Sequence, residues 1–176
     1  MAAKKSEHEG TRPRSATGML KKDHKKVSAL FSNWEASDDD KECAELMQQA
    51  ILELKVHVAV EEELFYPEAC KVLEDDAEII DEAEEEHHVV KMLMEEIEEL
   101  GMEGEHAHAK FKVLLENVRH HIKEEEMFPK VEDEDLNKKL VDQMWERKQE
   151  LMAEMGAEMG MPTPVEGDLT QPGGRA

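Results

Sequence analysis

The stretch HVAVEEELFYP, residues 57–67, places a histidine and a glutamate on one face of a helix. His57 and Glu61 are four residues apart, and side chains at that spacing are neighbours on an α-helix. The same face carries apolar residues, namely Ala50, Leu54, Val60 and Leu64. A face that is otherwise apolar is expected to lie against the protein core. The stretch therefore predicts a polar pair that is directed inward.

The stretch HIKEEEMFP, residues 121–129, repeats the pattern with His121 and Glu125. A single histidine on an apolar face is usually a hydrogen-bonded core residue. Two histidine–glutamate pairs are different, because an ionised carboxylate that is buried without a partner costs several kcal/mol. The repeated pattern therefore favours a buried cation.

Composition limits the classes of function that fit the chain. It has 176 residues, 38% of them charged and 4% aromatic, with a net charge of −22. Such a charge disfavours nucleic acids and anionic membranes as partners, because it repels phosphates. No apolar run approaches the ~20 residues that span a bilayer, and the N-terminus lacks the apolar stretch of a secretory signal. With only two cysteines, which form no metal-like spacing, the sequence predicts a cytoplasmic protein with reduced thiols.

Helical periodicity predicts five amphipathic helices and no strands. The predicted segments are residues 17–36, 41–73, 77–100, 109–128 and 136–155. Pro67 is expected to kink or end the second helix, and Gly101 to cap the third. The fifth helix is amphipathic through Leu136, Leu140, Met144, Leu151 and Met155.

Four of these helices are long and joined by short links, which is typical of a helix bundle. The predicted fold is all-α: an antiparallel up-down-up-down four-helix bundle with an additional C-terminal amphipathic helix. The predicted divisions are a disordered tail over residues 1–16, the bundle over 17–155 and a flexible tail over 156–176.

Helical phase sorts the nine histidines of the chain. Each of the four bundle helices contributes one histidine to its apolar face: His24, His57, His87 and His121. The others are assigned to outward faces (His88 and His120), to the N-terminal tail (His8) or to a linker (His106 and His108). Imidazole and carboxylate together suit iron, manganese or zinc. Since two acids can each bridge, two ions are predicted.

A ferritin-like di-iron bundle fits poorly. It needs two Glu-x-x-His motifs on separate helices. Glu84 and His87 form one, but Val118 occupies the corresponding position before His121.

Four stretches resemble the helices of the hemerythrin-like, HHE cation-binding domain family. They are LKKDHKKVSALF, HVAVEEELFYP, EEEHHVVKMLMEEIEEL and VRHHIKEEEMFP, and the resemblance covers roughly residues 17–152. It implies a non-heme centre of two iron ions in a four-helix bundle. The resemblance further implies terminal ligands at His24, His57, His87 and His121, and bridging ligands at Glu61 and Glu125.

The chain departs from oxygen-carrying hemerythrins. Lys91 stands where those proteins have a second histidine, one turn after His87. Their last motif has an aspartate five residues after the histidine, whereas Glu125 follows His121 by four. The resulting shorter interval leaves His120 with Glu124 as an alternative pair.

The missing histidine leaves one coordination position for water, a substrate or another side chain, with Glu84 as a candidate. Lys91 is expected to carry its charge out of the bundle toward Glu95.

The sequence supports a non-heme di-iron protein that binds or reacts with a small oxidant, such as dioxygen, peroxide or nitric oxide, at an open iron site. An alternative is a non-enzymatic iron or oxygen sensor, or a partner-binding module. A third is a helical bundle without metal. Whether the protein is an enzyme and which protein partner it has stay open at this point.

Overall fold

The computed structural model describes residues 12–73, 78–125 and 134–161. Every regular element within that part is a helix. The elements are α1 (Ala16–Ala36), α2 (Asp40–Val60), a π-helical turn (Glu61–Phe65), α3 (Tyr66–Leu73), α4 (Glu78–Leu100), α5 (Glu105–Glu125) and α6 (Glu134–Glu158). The all-α prediction is confirmed.

Side chains and glycine set the helix ends. The Ser15 hydroxyl accepts from the backbone N–H of Gly18 at the start of α1, and the Asp39 carboxylate accepts from Glu42 at the start of α2. Gly101, with a φ of +79°, follows α4 in the left-handed conformation that glycine favours. The predicted cap at Gly101 is confirmed.

Two predicted helix boundaries need correction. α5 begins at Glu105, so His106 and His108 lie in the helix and not in a linker. α6 continues to Glu158, and the side chain of Gln48 donates to the backbone carbonyl of Met159. The segment from 156 to 161 is therefore packed on the bundle, where a flexible tail was expected.

The N-terminal boundary also differs from the prediction. Pro13 is buried, Arg12 pairs with Asp142 of α6 at 2.5 Å, and α1 begins one residue earlier than expected, at Ala16. Residues 1–11 and 162–176 of the predicted tails lie outside the described part.

Pro67 does not end the second helix. The chain widens into the π-helical turn, where the backbone N–H of Tyr66 donates to the carbonyl of Glu61, and then continues as α3. In a regular α-helix the proline ring would clash with the carbonyl four residues earlier. The wider turn immediately before Pro67 accommodates the ring, and π-helical turns of this kind are frequent at functional sites.

Ion pairs define the antiparallel register of neighbouring helices. Lys110 pairs with Glu96, and further along α5 His120 faces Glu86. Residue numbers thus fall along α4 as they rise along α5. The same relation holds between α1 and α2, where His24 faces His57 and Lys26 pairs with Glu53.

The core consists of two apolar clusters at opposite ends of the bundle. One includes Leu20, Val56, Val60, Tyr66 and Ala83, and the other includes Val27, Leu54, Val90, Met94 and Val118. α6 covers the first cluster with Leu140, Met144 and Leu151. His24, His57 and His87 lie in sequence between members of the two clusters, and His121 follows Val118 of the second one, so the four histidines form a polar layer.

None of the helices in the described ranges is both long and apolar enough to cross a lipid bilayer.

Candidate metal centre

The four histidines that helical phase assigned to the interior are all buried, and they lie in two pairs. Their exposed fractions lie between 1% and 8%. The Nε2 atoms of His24 and His57 are 3.0 Å apart, and those of His87 and His121 are 3.1 Å apart. Two nitrogens each about 2.1 Å from one cation, at a right angle, lie roughly 3.0 Å apart. Each pair therefore has the spacing of two ligands that share a cation.

Glu61 joins the two histidine pairs. Its carboxylate is fully buried, and its Oε2 lies 3.2 Å from His57 Nε2 and 3.4 Å from His87 Nε2. Two groups with metal-ligand geometry result, one of Glu61 with His24 and His57 and one of Glu61 with His87 and His121. A carboxylate shared in this way is suited to bridge two cations.

The outer nitrogens of three rings face carboxylates. His87 Nδ1 lies 3.1 Å from Glu62 Oε1, His121 Nδ1 lies 2.8 Å from Glu86 Oε2, and His57 Nδ1 lies 3.6 Å from Asp23 Oδ2. A carboxylate accepts from Nδ1–H, which holds the ring in the tautomer whose Nε2 lone pair is available to a metal. Glu62 and Glu86 thereby orient the rings of His87 and His121, and Asp23 lies next to the outer nitrogen of His57.

Apolar side chains wall the space between the rings. They are Val27, Leu54, Val58, Val90, Val118 and Ile122. Such walls exclude water and strengthen electrostatic interactions between the polar groups that face the centre.

Tyr66 is a further polar group at the centre. Its hydroxyl lies 3.5 Å from Glu61 Oε2 and 3.4 Å from His87 Nε2, and its ring stacks on His87 with centroids 5.4 Å apart. The side chain is 1% exposed. It reaches the centre because the π-helical turn places residue 66 above residue 61.

Asp23 connects the centre to α6. It is buried and accepts a short hydrogen bond from the ammonium of Lys148. Burial raises the pKa of the Asp23 carboxyl, but the interactions with His57 and Lys148 outweigh burial and lower that pKa overall. The carboxylate is thus held in its charged form, ready to accept from His57.

We expect Lys148→Met to destabilise the protein by about 3 kcal/mol, because the change leaves the buried carboxylate of Asp23 without its cation. Urea unfolding of the metal-free protein measures the loss. Lys139→Met is the matched control, since Lys139 is exposed on the same helix. Equal stability of the two variants would contradict this role of Lys148.

The model of the hemerythrin HHE cation binding domain matches residues 15–131, which is more than half of the chain. The chain belongs to the hemerythrin HHE family. The resemblance seen in the four helical stretches is thereby confirmed. Membership implies that this HHE domain binds a metal.

Two known proteins are similar to this chain. A crystal structure of a hemerythrin HHE cation binding domain-containing protein homologue from Mycobacterium kansasii superposes with a TM-score of 0.69 and 21% identity, and covers 86% of this chain and 95% of that one. This likeness shows the fold. A DNA nickase of Nostoc sp. is 28% identical over 110 residues, which is 61% of this chain but only 30% of the nickase.

The structure describes the side chains of five of the six candidate ligands. His24, His57, Glu61, His87 and His121 are brought together. Glu125 is the last residue of α5, and its side chain lies outside the described part. In the alternative pair, His120 is 66% exposed and Glu124 39%. The structure thus directs His121 toward the centre and His120 away from it.

Two expectations about the open position are not met. Glu84 is exposed and does not belong to either ligand group. Lys91 does leave the bundle, but its ammonium pairs with Glu62, at 2.9 and 3.0 Å, and not with Glu95. The reason is the packing of the π-helical turn beside α4, which brings Glu62 between His87 and Lys91.

Sequence reasoning missed the carboxylates behind the rings. Asp23, Glu62 and Glu86 each stand next to a candidate ligand in the sequence, yet each faces a histidine of a neighbouring helix. The sequence does show an acid next to each of these candidate ligands. Which histidine that acid faces depends on the register between neighbouring helices, and a helical wheel of one helix does not give this register.

Proposed function

We propose that the protein is a non-heme di-iron protein whose open iron site binds or reacts with a small oxidant: dioxygen, peroxide or nitric oxide. The observation that carries the proposal is the shared position of Glu61, whose one oxygen faces both histidine pairs. The proposed ligands are His24, His57, Glu61, His87, His121 and Glu125.

The donor chemistry fits iron. Imidazole and carboxylate together suit iron, manganese and zinc, and the metal-ligand groups contain no thiolate that would favour softer metals. When bound, a pair of iron ions supplies reversible electron transfer to a small oxidant. The distances within both groups allow the residues to hold such ions without rearrangement of the helices.

The chain's own residues prepare the centre. Glu62 and Glu86 orient two of the rings through their Nδ1 atoms, Asp23 lies next to a third ring, and the apolar walls keep water out. The Tyr66 hydroxyl can hold a proton next to Glu61 Oε2 and direct it toward a small molecule that binds beside His87. This arrangement supports proton-coupled reactions of an oxidant.

Lys91 supports an open coordination position in the half of the centre that contains His87. Its ammonium is engaged outside the core by Glu62 and cannot donate an electron pair to a metal while it is protonated. Among the described histidines, cysteines and acids, no other side chain belongs to the His87, His121 and Glu61 group, and the Tyr66 hydroxyl lies beside it. Even with Glu125 and the Tyr66 hydroxyl as further ligands, this group would offer fewer donors than an octahedral site has.

We expect the iron-loaded protein to bind azide and nitric oxide readily, and the reduced protein to autoxidise in air. Lys91→His should slow autoxidation several-fold if the absent imidazole is the cause. Stopped-flow absorption measures the rate. Lys91→Met is the matched control, because it removes the ion pair to Glu62 but adds no imidazole.

A slowing by Lys91→Met equal to that by Lys91→His would assign the effect to the ion pair and contradict the open position. Uptake and release of dioxygen by the unmutated protein without oxidation would favour an oxygen carrier. Assays with peroxide and nitric oxide then separate turnover from binding.

A sensor or partner-binding module is the second candidate function. It is favoured by the contacts of α6, where Arg147 pairs with Glu63 of the π-helical turn and Lys148 pairs with Asp23. A movement of His57 on metal binding would be transmitted to α6 through Asp23 and Lys148, and a movement of Glu61 through Glu63 and Arg147. A metal-dependent change in the protection of α6 from hydrogen exchange, without turnover, would support this candidate.

The nickase relative does not lead us to propose a DNA substrate. The net charge of −22 repels phosphates, and the aligned region is 30% of the nickase. We propose a cytoplasmic protein with one metal-binding domain, flanked by terminal segments, that acts on a small molecule.

A further inference from the structure

A third group of potential ligands lies on the outer surface of the bundle. It consists of Glu86 on α4 with His120 and Glu124 on α5. His120 Nε2 lies 3.0 Å from Glu124 Oε1 and 3.6 Å from Glu86 Oε1. The three donor atoms lie within 4.8 Å of one another, so one cation can contact all of them.

The group stands on two helices that are fixed relative to each other. His120 and Glu124 are one turn apart on α5, and Glu86 approaches from the antiparallel α4. Glu86 is held further by its other oxygen, since Oε2 accepts from His121 Nδ1 at 2.8 Å. A donor group that is already oriented loses less entropy on binding than three mobile surface chains.

The carboxylates of the group pair with histidines and with no lysine or arginine of the described residues. In the described ranges, Glu86 pairs with His120 and His121, and Glu124 pairs with His120. A lysine or arginine in these positions would compete with a metal, whereas a neutral imidazole is itself a ligand. The strongly acidic chain also concentrates cations near its surface.

We propose that Glu86, His120 and Glu124 form an outer site for one divalent first-row transition-metal ion. One imidazole and two carboxylates suit Fe²⁺, Mn²⁺, Co²⁺ or Zn²⁺, and the exposure of His120 leaves the remaining positions to water. Such a site binds its ion more weakly, and exchanges it faster, than the buried centre.

The outer site is separated from the buried centre by one carboxylate and one ring. Glu86 offers Oε1 to the outer group and Oε2 to His121, whose Nε2 faces His87. An ion bound outside therefore lies beside a ligand of the inner centre. This places the outer site at a point where an incoming ion could be held before it enters.

The test is equilibrium dialysis of the full chain against Co²⁺, with the bound ions counted by elemental analysis. We expect the unmutated protein to hold one more ion per chain than His120→Ala and than Glu124→Gln. His106→Ala is the matched control, because His106 is an exposed histidine at the far end of the same helix.

The difference between proteins counts the outer ion whichever metal occupies the buried centre, so its failure is distinct from failure of the di-iron proposal. Equal counts in the unmutated protein and His120→Ala would overturn the outer site. A loss with His120→Ala but not with Glu124→Gln would overturn the proposed ligand set. Loss of tightly held iron from His120→Ala would place His120 in the inner centre and overturn the proposal as well.

Discussion

Glu61→Ala is expected to abolish tight iron binding at both positions of the centre. Removal of a residue that orients a ligand typically lowers metal affinity by about 10- to 100-fold. Glu61 is itself a proposed ligand and faces both histidine pairs, so the expected loss exceeds about 100-fold. Elemental analysis after desalting, together with the absorption spectrum, measures the loss.

The variant also separates metal loss from misfolding. In the metal-free protein, Glu61→Ala removes a fully buried carboxylate and its contacts with His57, His87 and Tyr66, which should lower thermal stability but keep the helix content that circular dichroism measures. Glu68→Gln, a partly exposed acid of the adjoining α3, is the control and should retain iron. If Glu61→Ala keeps one ion at full affinity, Glu61 serves a single ion and the shared-ligand account is wrong.

His121→Ala is expected to have the second largest effect on iron binding. The same substitution at the neighbouring His120 is the matched control. His121 is 4% exposed with its Nε2 3.1 Å from that of His87, whereas the side chain of His120 is 66% exposed. His121→Ala should therefore lose at least the ion held with His87. His120→Ala should keep all tightly held iron.

The shorter interval in the last motif makes this pair of variants informative. The reverse result, with iron lost from His120→Ala and kept by His121→Ala, would mean that the register of α5 differs from the described one. Circular dichroism of both variants distinguishes loss of a ligand from loss of the helix.

The sequence predicted those features that depend on local periodicity. The apolar face of Ala50, Leu54 and Val60 on α2 is buried as expected, and so are the apolar faces that carry His24, His87 and His121. The histidines that share these faces point to the same interior. A helical wheel is sufficient here, because burial of a stripe decides which way each side chain points.

The features that the sequence did not predict depend on contacts between elements. Pro67 suggested a kink or a helix end, and the structure instead has a π-helical turn that accommodates the proline and brings Tyr66 over Glu61. Lys91 pairs with Glu62 because the π-helical turn packs beside α4. Such pairings follow from tertiary register, which is not encoded in the spacing of residues along one helix.

The length of α6 illustrates the same limit. Gly156 and the methionines after it suggested a flexible segment, yet Gly156 packs near Leu52 and the carbonyl of Met159 accepts from Gln48. Glycine lowers intrinsic helix propensity, and packing against α2 overrides it.

The measurement that tests the account most directly is the iron content of the reconstituted full chain. A brief wash with a chelator first removes weakly held surface ions. Two proposed histidine pairs joined by one carboxylate predict about two iron ions per chain, with oxo-bridge charge-transfer bands in the near ultraviolet after oxidation. One zinc ion per chain with no uptake of iron would contradict the account.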